Sequence, residues 1–345
     1  MSATLRDVAR HAGVSVKTVS NVVHGYAFVR DETRQRVQAS IELLGYQPNV
    51  AARNLRSGRT GTIGLAVPEL SFSYFAELAD AVLVAARERG YVVLVEQTGG
   101  DRAAEIALLS GPRTSMLDGM LFSPLGLSSD DADLLRVGYP LVLLGERVFD
   151  GPTDHVTMQN VVGAEAATRH LIEIGCRRIA VVGAHQGEKI GSAGLRLDGY
   201  CAALKAAGLP YDPALIVYRS GWHRTDGAAA TDELLASGVE FDAIFALNDE
   251  LALGALRSLH VAGRRVPEDV AVVGFDNLVE GQFALPSLTT IDPGRTTIAE
   301  RAVEALVERI NDSDGQIGGP RLIEAPYRLV ERESAPSVVA ENAAM

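Results

Sequence analysis

Lys17, Thr18 and Ser20 belong to a segment that could present them to a phosphate backbone. Valines at positions 19, 22 and 23 repeat along this segment at helical spacing, which predicts a helix with one apolar face. Ser15 precedes it and is a suitable N-cap, because its side-chain oxygen can accept a hydrogen bond from a free backbone N–H group. The basic and hydroxyl side chains would then be available to phosphate oxygens.

A second predicted helix lies just before this one. Leu5, Val8, Ala9 and Ala12 also keep helical spacing, and Gly13 separates the two helices. Glycine suits a tight turn between helices, because such a turn often needs a backbone angle that other residues reach only with strain. Helix, glycine turn and helix together predict a helix-turn-helix module.

The charge is divided unevenly along the chain. Residues 1–60 carry nine Lys and Arg against four Asp and Glu, whereas residues 61–345 carry 23 against 40. A basic module on an acidic remainder is typical of a protein that contacts nucleic acid at one end only. The net charge of −12 for the whole chain hides this pattern.

Polar and aromatic residues follow several predicted strands of the remainder. In open α/β sheets, ligands bind beyond the carboxyl ends of the strands, and the residues in such places include Glu146, Asn248 and Asp276. Arg196 lies early in a predicted helix, and Trp222 lies in a loop. Hydrogen-bonding groups beside an indole face suit a polyhydroxylated ligand. Alternatives remain open, since Trp222 could be a packing residue and the Asn248–Asp249 pair could cap a helix.

Predicted strands and helices alternate from residue 62 onward, which is typical of parallel sheets covered by helices on both faces. The fold class we expect is an all-α helix-turn-helix headpiece followed by an α/β body. The predicted strands are residues 62–67, 91–95, 120–122, 141–144, 178–182, 215–218, 243–247, 270–274 and 321–324. The predicted helices are residues 74–89, 161–174, 195–207 and 251–262.

Composition argues against several classes of protein. No apolar run approaches the length of about 20 residues that a membrane helix needs, and the first residues do not resemble a signal peptide. With only Cys176 and Cys201, a disulfide framework is not expected. The sequence contains no Gly-x-Ser-x-Gly elbow, no Walker A loop and no histidine pair at metal-site spacing. We therefore expect a cytoplasmic protein that is not an enzyme and has no cofactor, metal site or membrane contact.

The chain resembles the LacI family of bacterial transcription regulators over nearly its whole length. Six pieces match in order and spacing, which is more specific than any single motif. They are Asp7-Val8-Ala9, Ala12-Gly13-Val14-Ser15, Thr18-Val19-Ser20, Gly45-Tyr46-Gln47-Pro48-Asn49, Ala52-Arg53-Asn54-Leu55 and Ile63-Gly64-Leu65.

The resemblance implies roles for residues of the headpiece and the segment after it. Val16, Lys17 and Asn21 would read base edges in the major groove, while Thr18 and Ser20 would hold phosphates. Asn21 stands where arginine is more usual, which leaves the operator sequence open. After the headpiece, a short hinge helix capped by Asn49 would carry Arg53 and would insert Leu55 into the minor groove.

The resemblance also implies a body of two subdomains with a cleft between them, similar to periplasmic sugar-binding proteins. We expect a headpiece over residues 1–48, a hinge helix and linker over 49–60, and the body over 61–345. The first subdomain should span about 61–160 and 290–320, and the second about 161–289 and 321–335. The effector contacts implied are Tyr74, Glu146, Arg196, Trp222, Asn248 and Asp276.

The function expected from these features is a ligand-controlled repressor of a sugar-catabolic operon, acting as a homodimer on operator DNA. A sugar bound in the cleft would relieve repression. Two alternatives remain open: a purine-type co-repressor system, in which the ligand strengthens DNA binding, and a solute-binding protein without a regulatory role.

Overall fold

The computed structural model describes residues 3–23, 26, 28–46, 59–312 and 315–337. The chain divides into two compact units, residues 1–60 and 61–345. The boundary agrees with the division of charge along the sequence.

The headpiece is a bundle of three helices, α1 Leu5–Ala12, α2 Val16–Val23 and α3 Asp31–Leu44. Thr4 and Asp7 start α1 with reciprocal hydrogen bonds between side chain and backbone, of 3.3 and 3.0 Å, a capping box in which both free donors are satisfied. Gly13 has a φ of 63°, which confirms the turn predicted for it. The core contains one fully buried valine from each helix, namely Val8, Val19 and Val37.

The body contains twelve strands and eight α-helices in its described residues. The strands are β1 Thr62–Val67, β2 Val92–Gln97, β3 Gly119–Phe122, β4 Leu141–Leu144, β5 Asp154–Met158, β6 Ile179–Ala184, β7 Ile216–Tyr218, β8 Ala243–Ala246, β9 Ala271–Phe275, β10 Thr289–Asp292, β11 Leu322–Ala325 and β12 Arg328–Val330. The helices are α4 Ser73–Glu88, α5 Arg102–Ser110, α6 Asn160–Glu173, α7 Ser192–Ala206, α8 Arg224–Ala236, α9 Asp249–Val261, α10 Val279–Gln282 and α11 Arg295–Asn311.

The strands form two six-stranded sheets, one for each subdomain. The first has the order β11-β5-β4-β3-β1-β2 and is parallel throughout. The second has the order β12-β10-β9-β8-β6-β7 and is parallel except for β12. Their central strands are buried along their whole length, as expected for parallel sheets with helices on both faces.

The structure corrects the predicted subdomain boundaries at two places. Strand β10 belongs to the second sheet, although the chain was expected to return to the first subdomain near residue 290. Strand β11 belongs to the first sheet, although residues from about 321 onward were expected in the second subdomain. The reason for the second difference is the carboxylate of Asp154, which accepts hydrogen bonds from the backbone and side chain of Arg321 and from Arg309. These bonds fasten the start of β11 beside β5, so the chain returns to the second subdomain only after residue 325.

No helix in the described residues is long and apolar enough to cross a membrane.

Candidate functional site

Helix α2 exposes the residues predicted to contact DNA to different degrees. Val16 and Lys17 are exposed at its start, whereas Thr18, Ser20 and Asn21 are half-buried. The Thr18 backbone N–H donates to Ser15 Oγ over 3.1 Å, so Ser15 caps the helix as predicted. The hydroxyls of Ser15 and Thr18 lie 2.8 Å apart. Asn49, Arg53 and Leu55 lie outside the described residues.

The body contains a cavity of about 260 Å³ between its two sheets. It lies at the carboxyl ends of the strands, where the sequence predicted a ligand, because residues that follow β1, β4, β6, β7 and β9 all line it. Five of the six predicted effector contacts are among the lining residues: Tyr74, Glu146, Arg196, Trp222 and Asp276.

Arg196 is held rigidly at the floor of the cavity. It is almost fully buried, and its guanidinium carbon lies 3.7 Å from the centre of the Phe275 ring. Its Nε donates to Asn160 Oδ1 over 2.8 Å, Nη1 donates to the Leu247 carbonyl, and Nη2 lies 3.2 Å from Met158 Sδ. Most of its five N–H donors are therefore already used in contacts within the protein.

Asp276 completes the floor beside Arg196. Its Oδ1 lies 3.4 Å from Arg196 Nη2. Its backbone has a φ of 117°, which is uncommon for a residue other than glycine, and its N–H donates to the Ile291 carbonyl over 2.8 Å. Burial raises the pKa of Asp276 to about 7, although the charge of Arg196 opposes this, and the nearby Asp249 adds to the increase.

Glu146 and Tyr74 belong to the first subdomain. Glu146 Oε1 accepts a hydrogen bond from Thr157 Oγ1 over 3.2 Å, and Oε2 accepts one from Ser192 Oγ over 2.7 Å. Since Ser192 starts α7 of the second subdomain, this carboxylate joins the two sides of the cleft. Tyr74 is buried on α4, and burial raises the pKa of its hydroxyl, so this group is a neutral hydrogen-bonding group at physiological pH.

Trp222 presents its ring to the cavity with its polar edge already satisfied. Indole Nε1 donates to the Gly183 carbonyl over 2.7 Å, and the guanidinium carbon of Arg196 lies 5.3 Å from the ring. A ring fixed in this way provides a flat apolar surface in the lining of the cavity.

The structure does not place Asn248, a predicted effector contact, in the lining of the cavity. Asn248 is fully buried and does not line the cavity. Its Oδ1 accepts from the Leu251 backbone N–H over 2.8 Å, which caps α9, and its Nδ2 donates to the Trp222 carbonyl over 3.2 Å. Asp249, the other residue of the pair that the sequence offered as a cap, instead accepts hydrogen bonds from Thr290 Oγ1 and the Leu278 N–H. Asparagine followed by two acidic residues in a first helical turn is a capping pattern that could have indicated this.

The cavity is rich in hydrogen-bond acceptors and poor in free positive charge. Four carboxylates line it, from Glu69, Glu146, Glu188 and Asp276, against two guanidinium groups. Both guanidinium groups are paired, because Arg196 lies beside Asp276 and Arg147 Nη2 lies 3.3 Å from Glu188 Oε2. Such a lining favours a ligand with many donor groups over an anionic one.

Two family models match this chain. The helix-turn-helix model of bacterial regulatory proteins of the lacI family covers residues 4–49, and the periplasmic binding protein-like domain covers residues 168–335. The HTH-type transcriptional regulator CelR of Thermobifida fusca is 38% identical to this chain and covers 96% of it and 98% of its own length. The ribose operon repressor of Halalkalibacterium halodurans is 33% identical over 96% of both chains. The chain belongs to the LacI family.

A solved structure agrees with this assignment. A transcriptional regulator of the LacI family from Sanguibacter keddieii is 52% identical to this chain, with a TM-score of 0.75, over 80% of this chain and 99% of its own. The resemblance predicted from six sequence pieces is thereby confirmed, as are the helix-turn-helix headpiece and the two α/β subdomains. Relatives in this family are transcription regulators rather than enzymes.

The LacI-family cleft of this chain also contains functional candidates that the sequence did not suggest. Glu188 and His185 lie on the loop before α7, and Phe75 of α4 adds aromatic surface. The loop residues have no periodicity or motif that points to a ligand, so only the folded chain brings them to the cavity. No cluster of three His, Cys, Asp or Glu side chains suited to a metal ion occurs among the described residues.

Proposed function

We propose that this chain is a sugar-responsive repressor of transcription. Its headpiece would bind an operator through α2, and a sugar in the cleft would weaken that binding. The name of one relative, a ribose operon repressor, supports both the sugar and the negative sign of regulation. Membership of the LacI family supports the DNA-binding role.

The observation that carries the proposal is the chemistry of the cleft. Glu146 and Asp276 place carboxylate oxygens at the cavity, Trp222 places an indole face there, and both guanidinium groups are already paired. A neutral sugar offers many hydroxyl donors and an apolar ring face, which match these features. A purine has fewer donors, and a sugar phosphate would find no unpaired cation in this lining.

Hydrogen bonds that cross the cleft link ligand binding to the arrangement of the two subdomains. Besides Ser192 with Glu146, the Ser73 N–H donates to Glu250 Oε1 over 3.0 Å and Arg224 Nη2 donates to Ser73 Oγ over 3.1 Å. A sugar bound to Glu146 would compete for this carboxylate and shift the equilibrium between subdomain arrangements. Such coupling is reciprocal, so operator binding must lower sugar affinity by the same factor.

We further propose that the protein acts as a cytoplasmic homodimer. Exposed apolar side chains lie on α4 and the neighbouring edge strand β2, at Val84, Val92 and Leu94, and after α10, at Phe283 and Leu285. Large exposed apolar surfaces mark interaction sites. A two-fold dimer would present two headpieces to a near-palindromic operator.

In the headpiece, Val16, Lys17 and Asn21 would read base edges, and Thr18 and Ser20 would hold phosphates. The segment after it would contribute Asn49, Arg53 and Leu55, with Leu55 as the minor-groove wedge. The exposure of Val16 and Lys17 supports the first part of this assignment.

The test begins with selection of DNA sites from a random pool by the full chain. Operator affinity is then measured by fluorescence anisotropy with ribose, glucose, cellobiose, hypoxanthine or guanine present. We expect one of the sugars to weaken binding and to raise the unfolding midpoint, since a ligand at a hundred times its Kd adds about 2.7 kcal/mol. A purine that strengthens binding would replace the sugar proposal by the co-repressor alternative. Failure to enrich any site would refute the DNA-binding role.

A further inference from the structure

His185 has a nitrogen atom for which the protein provides no partner. The residue lies on the loop between β6 and α7, and it lines the cavity. Its Nδ1 is 2.9 Å from Glu188 Oε2. Its Nε2 is buried and has no hydrogen-bond partner within the described part of the chain. A buried polar atom without a partner is costly, which makes it a candidate contact for a ligand.

Glu188 determines which nitrogen of the His185 imidazole carries the hydrogen. Burial opposes the ionisation of Glu188, but the hydrogen bond from His185 and the charge of Arg147 lower its pKa, so it is a carboxylate that only accepts. His185 Nδ1 must therefore carry a hydrogen. In the neutral ring Nε2 is then left with a lone pair, which is an acceptor.

The surroundings keep the imidazole in this orientation. The ring lies 5.4 Å from the ring of Trp222, with an angle of 47° between the planes, and Trp222 is itself fixed by Gly183. Gly191 has a φ of 112°, and a Cβ there would lie 2.6 Å from Glu188 Oε1. The backbone of this loop therefore leaves room for the Glu188 carboxylate beside His185.

We propose that His185 is a specificity-determining residue, whose Nε2 accepts a hydrogen bond from one hydroxyl of the bound sugar. Glu188 is its positioning residue. This inference rests on the proposed sugar effector and adds to it a particular hydroxyl and a particular acceptor. Since Arg147 of the first subdomain pairs with the same carboxylate at 3.3 Å, recognition of this hydroxyl is also linked to the contact between subdomains.

The test compares two amide substitutions at position 185 in the full chain. In His185→Asn the amide occupies the place of Nδ1 and can still donate to Glu188, but nothing replaces Nε2. In His185→Gln the amide reaches the place of Nε2, so its oxygen can accept from the ligand. His260→Asn, at the exposed end of α9, is the control for the same chemical change.

The probes are ribose, glucose and cellobiose, followed by the single-deoxy analogues of whichever sugar binds, with affinities from calorimetry. We expect His185→Asn to lower the affinity for the parent sugar by about threefold to tenfold. His185→Gln should restore part of this affinity, and His260→Asn should leave it unchanged. One deoxy analogue should bind the wild-type protein more weakly than the parent sugar does, by the same factor. His185→Asn should bind this analogue and the parent sugar with equal affinity.

Two negative results are distinguishable. If one of the three sugars binds the wild-type protein and His185→Asn binds it equally well, the His185 contact is wrong while the sugar effector stands. The same conclusion follows if every deoxy analogue loses the same factor in affinity with both proteins. If none of the three sugars binds the wild-type protein, the sugar effector is refuted and the inference falls with it.

Discussion

Asp276 shows how a single buried carboxyl group can serve a ligand site at some cost to stability. It lies at the cavity floor with positive φ and almost no solvent contact. Burial raises its pKa to about 7, and burial also raises the pKa of Asp249 to about 6. A partly ionised carboxyl group of this kind is a strong acceptor whose charge a donor-rich ligand would stabilise.

We expect Asp276→Asn to flatten the dependence of stability on pH. A folded pKa above the ordinary value of about 4 means that the folded protein binds the proton more tightly than the unfolded chain. The stabilising contribution of Asp276 to the free energy of unfolding is therefore present below about pH 4 and is lost as the pH rises to about 7. Urea unfolding at several pH values should show the wild type losing stability relative to Asp276→Asn by about 1 kcal/mol per pH unit in this window.

Two controls belong to this comparison. Burial lowers the pKa of His155, which contributes with the opposite sign, so only the difference between the two proteins is informative. Asp232→Asn, at an exposed position of α8, should leave the profile unchanged. Parallel profiles for wild type and Asp276→Asn would contradict the raised pKa.

Lys17 allows the reading face of α2 to be tested at a single residue. Its side chain is exposed at the start of the helix, so Lys17→Ala should not change the free energy of unfolding. We expect it to alter the selected DNA sites or to weaken binding, by about 1–3 kcal/mol if a base contact is lost. The same selected sites bound with the same affinity would remove Lys17 from the interface.

Among the elements, α9 shows that a helix start can compete with a ligand site for the same residue. Asn248 follows β8 at the edge where ligands bind, but its side chain caps α9 and supports the Trp222 loop. The backbone needs its first N–H groups satisfied when they are buried, and this need decides where the amide lies. Asn248 thus influences the cavity through Trp222 rather than by contact.

We expect Asn248→Ala to lower the free energy of unfolding by about 1–2 kcal/mol, the usual range for a lost N-cap. Asn248→Ser keeps a capping oxygen and should retain most of the stability. Chemical denaturation measures both. If Asn248→Ala unfolds like the wild type but no longer binds the sugar that the wild type binds, the capping assignment is wrong and the original effector assignment returns.

At the scale of the whole molecule, regulation requires that the subdomains, the partner chain and the DNA respond together. The cleft is spanned by contacts such as Glu146 with Ser192 and Glu188 with Arg147, so its occupancy and its geometry are coupled. The exposed apolar residues of α4, β2 and the segment after α10 occur in both subdomains. A dimer that used them would make the partner sensitive to the arrangement of the subdomains.

Phe283→Asp should therefore weaken the dimer. Phe283 is 80% exposed, so the fold of one chain does not depend on it, and a charge placed in an apolar interface is costly. Sedimentation should show dissociation at concentrations where the wild type is dimeric, with weaker operator binding in parallel. Val261→Asp, at the exposed last residue of α9, should leave the dimer unchanged. An unchanged dimer would exclude the segment after α10 from the interface.

The sequence alone determined those features that depend on local patterning. Helical spacing with Gly13 and Ser15 specified α1, the turn and α2, and the apolar run of β1 was located to the residue. Five of the six effector residues implied by the LacI-family resemblance line the cavity. Glu146 and Asp276 are among them because the carboxyl ends of parallel strands meet at one edge of a sheet.

Only the tertiary structure decided features that depend on distant partners. Strand β11 joined the first sheet because Asp154, more than 160 residues earlier in the chain, holds Arg321. Helix α11 was not predicted from the sequence, although its apolar residues from Ile298 to Leu306 are buried at helical spacing. His185 became a candidate only when Glu188 fixed its proton and the cavity formed beside it. Local spacing encodes an element, whereas the partner of a buried charge or lone pair exists only after the chain has closed around it.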